Sequence, residues 1–112
     1  MNDAIARHRK MVEQFPDHEL ARFSLGKALF DAEQYVEACE HLGIAVRLRP
    51  DWMAAQILRG RCELYLGKTE AAKETLLRAH ALAKAQNHAT PLAETAQLLE
   101  DLGVKVTSPS AE

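Results

Sequence analysis

Histidine and cysteine are the residue types in this sequence best suited to acid–base or metal chemistry, but their spacing supports neither. No histidine is followed by a second at the i, i+4 spacing that places two ligands on one helix face, and no HExxH or Ser–His–Asp arrangement occurs. Cys39 and Cys62 form no CxxC pair and have no histidine pair at zinc spacing. We therefore predict no enzyme activity, no metal and no cofactor, and we interpret both cysteines as buried, reduced thiols. The histidines are His8, His18, His41, His80 and His88.

The composition indicates one helical domain. Of the 112 residues, 47% are apolar, which excludes disorder along the whole chain, and a net charge of −2 provides no extended basic surface for nucleic acid. The 19 alanines and 15 leucines favour helix over strand. No apolar run approaches the roughly 18 residues that a membrane span needs, and the N-terminal segment resembles neither a signal peptide nor an anchor. We expect a cytoplasmic protein with no membrane and no nucleic-acid partner.

An internal repeat organises the chain. When the sequence is shifted by 34 positions against itself, nine of the 35 pairs that start at residues 16 to 50 are identical, where chance predicts about two or three. Gly26 and Gly60 recur inside predicted helices, where glycine costs about 1 kcal/mol relative to alanine. That cost is tolerated where a second helix must approach the backbone closely. The identical pairs are Pro16/Pro50, Asp17/Asp51, Ala21/Ala55, Gly26/Gly60, Ala38/Ala72, Glu40/Glu74, Leu42/Leu76, Ala45/Ala79 and Leu48/Leu82.

Each period is predicted to fold as two amphipathic helices joined by a turn. Asp17 is the expected N-cap of a helix that reaches Ala32, and Pro50 ends the partner helix because its ring removes a backbone donor. We predict a single domain over residues 1–103. It divides into an N-terminal helix of a truncated repeat (1–15), a first full repeat (17–50), a second full repeat (51–86) and a capping helix (90–102), followed by a flexible tail at 104–112.

The pattern within each period resembles the tetratricopeptide repeat (TPR). The first copy supplies Leu25, Gly26, Leu29, Tyr35, Ala38, Leu42, Ala45 and Pro50, and the second supplies Gly60, Gly67, Ala72, Leu76 and Ala79. Four residues depart from the family pattern. Arg22 and Gln56 stand where a bulky apolar residue is usual, Arg59 stands in place of leucine, and Lys84 stands in place of the closing proline. The resemblance implies an all-α fold in which antiparallel helix pairs stack as a short right-handed TPR solenoid with terminal capping helices.

The resemblance also implies a binding function, because in this family the first helix of each pair lines a concave groove. Lys27 and Arg61 occupy equivalent places in the two repeats, so we expect a protein or peptide partner with an acidic group and apolar anchors. The two-carboxylate clamp of some family members is not expected, because Phe23, Lys27 and Leu58 stand at its positions. The groove positions map to Leu20, Phe23, Lys27, Phe30, Asp31, Ala54, Ile57, Arg61, Leu64 and Tyr65.

Two alternatives to a peptide groove remain open at this stage. The groove residues could instead pack against the C-terminal helix or against each other. The chain could also be a self-association module in which another copy covers the groove or an end face, which would give a homodimer with a structural role.

Overall fold

The computed structural model describes residues 3–106 and contains six α-helices in that range. Residues 1–2 and residues 107–112 of the predicted tail lie outside the described part of the chain. No helix in the described range has the length and apolar character needed to cross a bilayer. The helices are α1 (Asp3–Gln14), α2 (Glu19–Asp31), α3 (Tyr35–Leu48), α4 (Met53–Tyr65), α5 (Thr69–Ala85) and α6 (Ala89–Asp101).

Consecutive helices pack against each other along the chain, and α2 also contacts α4. The molecule is correspondingly elongated, with extents of 48 × 27 × 19 Å. This arrangement confirms the prediction of an all-α fold built from stacked helix pairs. In each full repeat the first helix, α2 or α4, contacts the second helix, α3 or α5.

The two mid-helix glycines lie where the helices of each pair cross. A Cβ atom added to Gly26 would stand 2.7 Å from Leu42 Cγ, and one added to Gly60 would stand 2.7 Å from Leu76 Cδ2. Both distances are too short for a side chain, so glycine allows these leucines to pack onto the backbone of the first helix. Leu42 and Leu76 are fully buried as a result.

One predicted helix start is wrong by a residue. His18, rather than Asp17, is the N-cap of α2: its backbone is extended, and its Nδ1 accepts the Ala21 N–H at 3.4 Å. Helix α6 begins at Ala89 with His88 as its N-cap. Imidazole can accept a backbone hydrogen bond in the same way as the smaller capping side chains.

Four of the helices in the described range end in the same hydrogen-bonded turn. Glu33, Gly67, Asn87 and Gly103 each adopt a positive φ, between 61° and 81°, directly after a helix. In each case the next residue donates its N–H to a carbonyl five residues earlier, as the Lys68 N–H does to the Glu63 carbonyl at 2.8 Å. This Schellman turn satisfies carbonyls that would otherwise lack a partner at the helix end.

Two of the four polar residues that depart from the family pattern make the same hydrogen bond one repeat apart. Arg22 Nε donates to the Pro16 carbonyl at 2.8 Å, and Gln56 Nε2 donates to the Pro50 carbonyl at 3.0 Å. Each side chain therefore joins the first helix of its repeat to the proline turn that precedes it. A long polar side chain can do this where a bulky apolar one cannot.

Candidate functional site

Helices α2, α4 and α6, with the N-cap residue of α6, line a cleft of about 470 Å³. It lies on the side where the resemblance implies a groove. Phe23 and Ile57 supply apolar surface, and Lys27 and Arg61 supply charge. The lining consists of Phe23, Lys27, Met53, Ala54, Ile57, Leu58, Arg61, His88, Pro91 and Glu94.

Packing among apolar side chains holds the floor of this cleft in place. The Phe23 ring lies against the Trp52 ring with 4.5 Å between their centroids, so it is fixed by the turn between the two full repeats. Ile57 is buried and belongs to a cluster with Met53, Ala79 and Ala83. The floor is therefore formed before any ligand arrives, which lowers the entropic cost of binding.

Two exposed ion pairs border the cleft. Lys27 Nζ lies 3.2 Å from Asp31 Oδ2, and Arg61 Nη1 lies 3.6 Å from Glu94 Oε2. Arg61 also stands over the Phe30 ring, 5.8 Å from its centroid. Lys27 and Arg61, which are predicted to bind an acidic partner, thus each pair with a carboxylate of this chain. Both pairs are solvent-exposed, and such pairs contribute only about 0–1 kcal/mol, so a ligand carboxylate could replace them at low cost.

Three aromatic rings form a second cluster where the turn between α2 and α3 meets the C-terminal end of α4. Tyr35 and Tyr65 stack in parallel with 4.6 Å between centroids, and Phe30 meets them edge-on at 5.4 and 5.8 Å. Tyr65 remains 60% exposed even so. With Arg61, Leu64 and Leu98, Tyr65 lines a separate depression of about 320 Å³.

The structure divides the nine residues of the predicted site among five places. Phe23, Lys27, Ile57 and Arg61 line the central cleft, together with Ala54. Leu64 and Tyr65 line the depression beside α6, and Phe30 belongs to the ring cluster. Leu20 lies in a groove between α1 and α2, and Asp31 lies in a smaller depression between the same helices.

Three residues that line the cleft are not among the predicted site residues: His88, the N-cap of α6, and Pro91 and Glu94 within that helix. They fall outside the two copies that show the repeat period, so no repeat position marked them. The only available signal was the prediction that residues 90–102 form a helix covering the last repeat.

Cys62 is buried as predicted, whereas Cys39 and His41 are only partly buried, and burial shifts the pKa values of all three. Burial raises the pKa of the Cys62 thiol to about 12, and burial also raises the pKa of Cys39, so both thiols are protonated at neutral pH. Burial lowers the pKa of His41, helped by Arg22, whose Nη1 lies 3.1 Å from His41 Nδ1. Across residues 3–106, no group of three or more His, Cys, Asp or Glu side chains is placed to hold a metal ion.

Comparison with known proteins gives the same fold. No protein-family model matches the sequence, and no curated protein matches it significantly. Among solved structures, the TPR2B domain of yeast Sti1 in complex with pHsp70 has a TM-score of 0.80 at 20% identity, over 89% of this chain and 80% of that one. The first TPR of Spaghetti (RPAP3), bound to the HSP90 peptide SRMEEVD, has a TM-score of 0.75 at 22% identity, over 88% and 77%. MamA has a TM-score of 0.75 at 23% identity, and this chain spans 57% of its length.

Proposed function

We propose that this chain, which has the tetratricopeptide-repeat fold, is a non-enzymatic protein-interaction module that binds a partner peptide in the cleft of α2, α4 and α6. The observation that carries the proposal is the cleft itself, with its fixed apolar floor and two exposed ion pairs on three helices. A pocket of this size suits one or two side chains of an extended or helical peptide.

The chemistry of the cleft supports one class of ligand. Phe23 and Ile57 on the floor favour an apolar anchor residue in the peptide. Lys27 and Arg61 favour a carboxylate next to that anchor, which would take the places now held by Asp31 and Glu94. The proposed ligand is therefore a short segment in which an acidic residue adjoins a bulky apolar one.

Related folds support a peptide ligand, but the residues of this chain favour a different way of binding it. The Sti1 and RPAP3 domains were solved with Hsp70 or HSP90 peptides. In this chain Phe23, Lys27 and Leu58 occupy the positions where clamp-type members of the family bind a terminal carboxylate. We therefore propose that the apolar anchor contributes more to affinity here than a terminal carboxylate does.

Peptide display tests this proposal directly. A library of random peptides selected on the wild-type chain should yield sequences with adjacent acidic and bulky apolar residues. Binding of a selected peptide, measured by calorimetry, should weaken at least tenfold in Ile57→Glu, because a charge then replaces the apolar floor. It should weaken less in Lys27→Glu/Arg61→Glu, because only the exposed charges are reversed.

A matched control separates the cleft from general charge effects. Arg47→Glu/Arg78→Glu makes the same change in net charge at two exposed residues of the second helices, α3 and α5. This variant should bind like the wild type. Selected peptides that bind all of these variants equally would contradict the proposal, provided that circular dichroism shows each variant to be folded.

A further inference from the structure

Helices α1 and α6 are each half of a helix pair within the described residues. Helix α1 corresponds to α3 in the repeat, because Val12 and Pro16 lie one repeat period before Val46 and Pro50. It therefore has the place of a second helix, and it packs against α2. Two hydrogen bonds with the Glu37 carboxylate, both donated by Arg9, tie it to α3 as well.

Helix α6 has the character of a first helix. It is 13 residues long, as are α2 and α4, and it packs against the second helix before it, α5. It ends in the same turn as α4, with Gly103 in the place of Gly67. A small residue, Ala96, lies seven residues before Gly103, as Gly60 lies seven residues before Gly67.

An open groove marks the place where a first helix would pack on α1. The groove runs between α1 and α2, has a volume of about 500 Å³, and is lined on the α1 side by His8, Met11 and Phe15. Leu20 and Ser24 of α2 form part of its opposite wall. Three large apolar side chains in it are about half exposed: Met11 at 48%, Phe15 at 53% and Leu20 at 54%.

One repeat later, the equivalent place is filled by a helix. Leu42 and Ala45, which lie one repeat period after His8 and Met11, are fully buried. Helix α2 covers them: Leu42 packs against Gly26, and Phe23 packs against the cluster that contains Ala45. The groove on α1 thus lies at the place that α2 fills on α3.

The charges of the two end helices are complementary. Helix α6 carries Glu94, Glu100 and Asp101 and no Lys or Arg, so its formal charge is −3. Helix α1 carries three basic residues against two acidic ones, a formal charge of +1. In an antiparallel pair the C-terminal end of α6 would lie beside the N-terminal half of α1.

We propose that copies of this chain associate head to tail, with α6 of one copy seated in the groove between α1 and α2 of the next. The contact completes a helix pair across the interface, because it joins a first helix and a second helix that each lack such a partner among residues 3–106. The two surfaces differ, so the contact is heterologous, and successive copies add to form open chains rather than closed dimers. This inference does not depend on the proposed function of the cleft.

Mixing two blocked variants tests the inference. Met11→Glu places a charge in the groove, and Ala93→Arg places a bulky cation on an exposed position of α6, three residues from Ala96. The mass of the wild type, measured by analytical ultracentrifugation, should rise with concentration, and each variant alone should associate at least tenfold more weakly. An equimolar mixture should form a species of two chains, because each variant retains the surface that the other lacks.

Three outcomes would overturn the proposal. A wild-type chain that stays monomeric up to millimolar concentration has no such contact. Blocked variants that fail to associate when mixed would indicate a symmetric interface instead. A chain shortened to residues 1–106 that no longer associates would identify the C-terminal residues, rather than α6, as the occupant of the groove.

Val36→Glu is the control for Met11→Glu. It adds the same charge at a 65% exposed residue of α3 and should associate like the wild type.

Discussion

The two full repeats share one backbone design but differ in what they bury. Helices α2 and α4 start one repeat period apart and have the same length, and each carries its glycine opposite a buried leucine. On α2 the buried face includes Leu25 and Leu29, both fully buried. At the equivalent positions α4 has Arg59 and Glu63.

The polar residues of α4 are incompletely satisfied. Arg59 Nε lies 3.5 Å from Glu63 Oε2, and the Glu63 side chain is only 5% exposed. Among the described residues, Gln56 Oε1, Arg59 Nε and Glu63 Oε1 are the buried side-chain atoms without a hydrogen-bond partner. The Arg59 guanidinium lies along α3, where an added Cβ on Gly43 would come within 3.8 Å of it.

The repeat pattern therefore keeps the residues at which the helix backbones approach each other, but it allows the side chains buried between the helices to be apolar or charged. Burying an ion pair requires desolvation that its mutual attraction often only offsets. The apolar layer of the first repeat gains transfer free energy with no such cost. We expect the first repeat to contribute more stability, and four predictions test this comparison.

The largest expected effect comes from the apolar layer of the first repeat. Leu29→Ala should lower the free energy of unfolding by about 2–5 kcal/mol, because the substitution leaves a cavity between α2 and α3 that the packed helices cannot close. The difference is measured from urea unfolding curves, with the slope of each curve checked for a change in the denatured state.

A surface residue of the same repeat provides the control for Leu29→Ala. Val36 is exposed on α3, so Val36→Ala should change the free energy of unfolding by no more than about 0.5 kcal/mol. A loss below about 1 kcal/mol for Leu29→Ala would mean that the first repeat is no better packed than the second, which contradicts the comparison.

The second prediction converts the polar layer to an apolar one. Arg59→Leu/Glu63→Leu gives α4 the residues that α2 has at these positions, and it should raise the free energy of unfolding by about 1–4 kcal/mol. The gain arises because the substitution removes two charges from a partly desolvated site and adds apolar burial. Thermal and urea unfolding of the same samples measure it.

The single variants show whether Arg59 and Glu63 act as a pair. Glu63→Leu alone leaves the guanidinium without its carboxylate, so it should be less stable than the double variant. If the double variant were less stable than the wild type, the ion pair would contribute net stability, and the ranking of the two repeats would be reversed.

Much of the fold was predictable because its determinants are local. The regular spacing of Gly26/Gly60 and Pro16/Pro50 marks helix crossings and helix ends, and each depends on backbone sterics within a few residues. The cap of α2 was assigned to the wrong residue because Asp17 and His18 can both accept a backbone hydrogen bond. Sequence alone does not determine which of the two has the extended backbone of the N-cap.

The candidate site was less predictable because it depends on how separate helices meet. Arg61 was placed in the groove from its repeat position, but its pairing with Glu94 requires the packing of α6 beside α4. Leu20 was assigned to the same groove because it shares a repeat position with Ala54. In the structure it lies beside α1 instead, since no first helix precedes α2 in the described residues.

The third prediction concerns a second polar substitution in the later repeat. Val12 and Val46 are buried one repeat period apart, and His80 is buried at the next such position. His80 Nδ1 lies 3.0 Å from Thr95 Oγ1, which itself donates to the Pro91 carbonyl, so Thr95 Oγ1 accepts a hydrogen bond from the Nδ1–H of the imidazole. Burial lowers the pKa of His80, with Lys84 as a further cause.

Stability should therefore fall in mild acid. Because the pKa of His80 is lower in the folded state, the unfolded chain binds a proton first as the pH falls below the ordinary histidine pKa of about 6.5. The free energy of unfolding should decrease between pH 7.5 and pH 5.5, by at most about 1.4 kcal/mol per pH unit from this one group. His80→Val should reduce that decrease, and an unchanged pH dependence in the variant would exclude His80 as a cause.

The smallest expected effect is a difference in backbone strain between the two repeats. Glu33 and Gly67 hold the same turn after α2 and α4, both at positive φ. A residue with a Cβ is disfavoured in that region, whereas glycine adopts it freely but has more conformational freedom to lose from the unfolded chain. Glu33→Gly should accordingly raise the free energy of unfolding by about 0.5–1 kcal/mol.

The reverse change in the second repeat separates backbone strain from side-chain contact. An added Cβ on Gly67 would meet nothing within 4 Å, so Gly67→Ala carries only the cost of the positive φ and should lower the free energy of unfolding by about 1 kcal/mol. Urea unfolding of both variants measures the two changes in the free energy of unfolding. Opposite signs of similar size would assign them to the turn itself, whereas a loss in both variants would mean that the Glu33 side chain stabilises the first repeat through its own contacts.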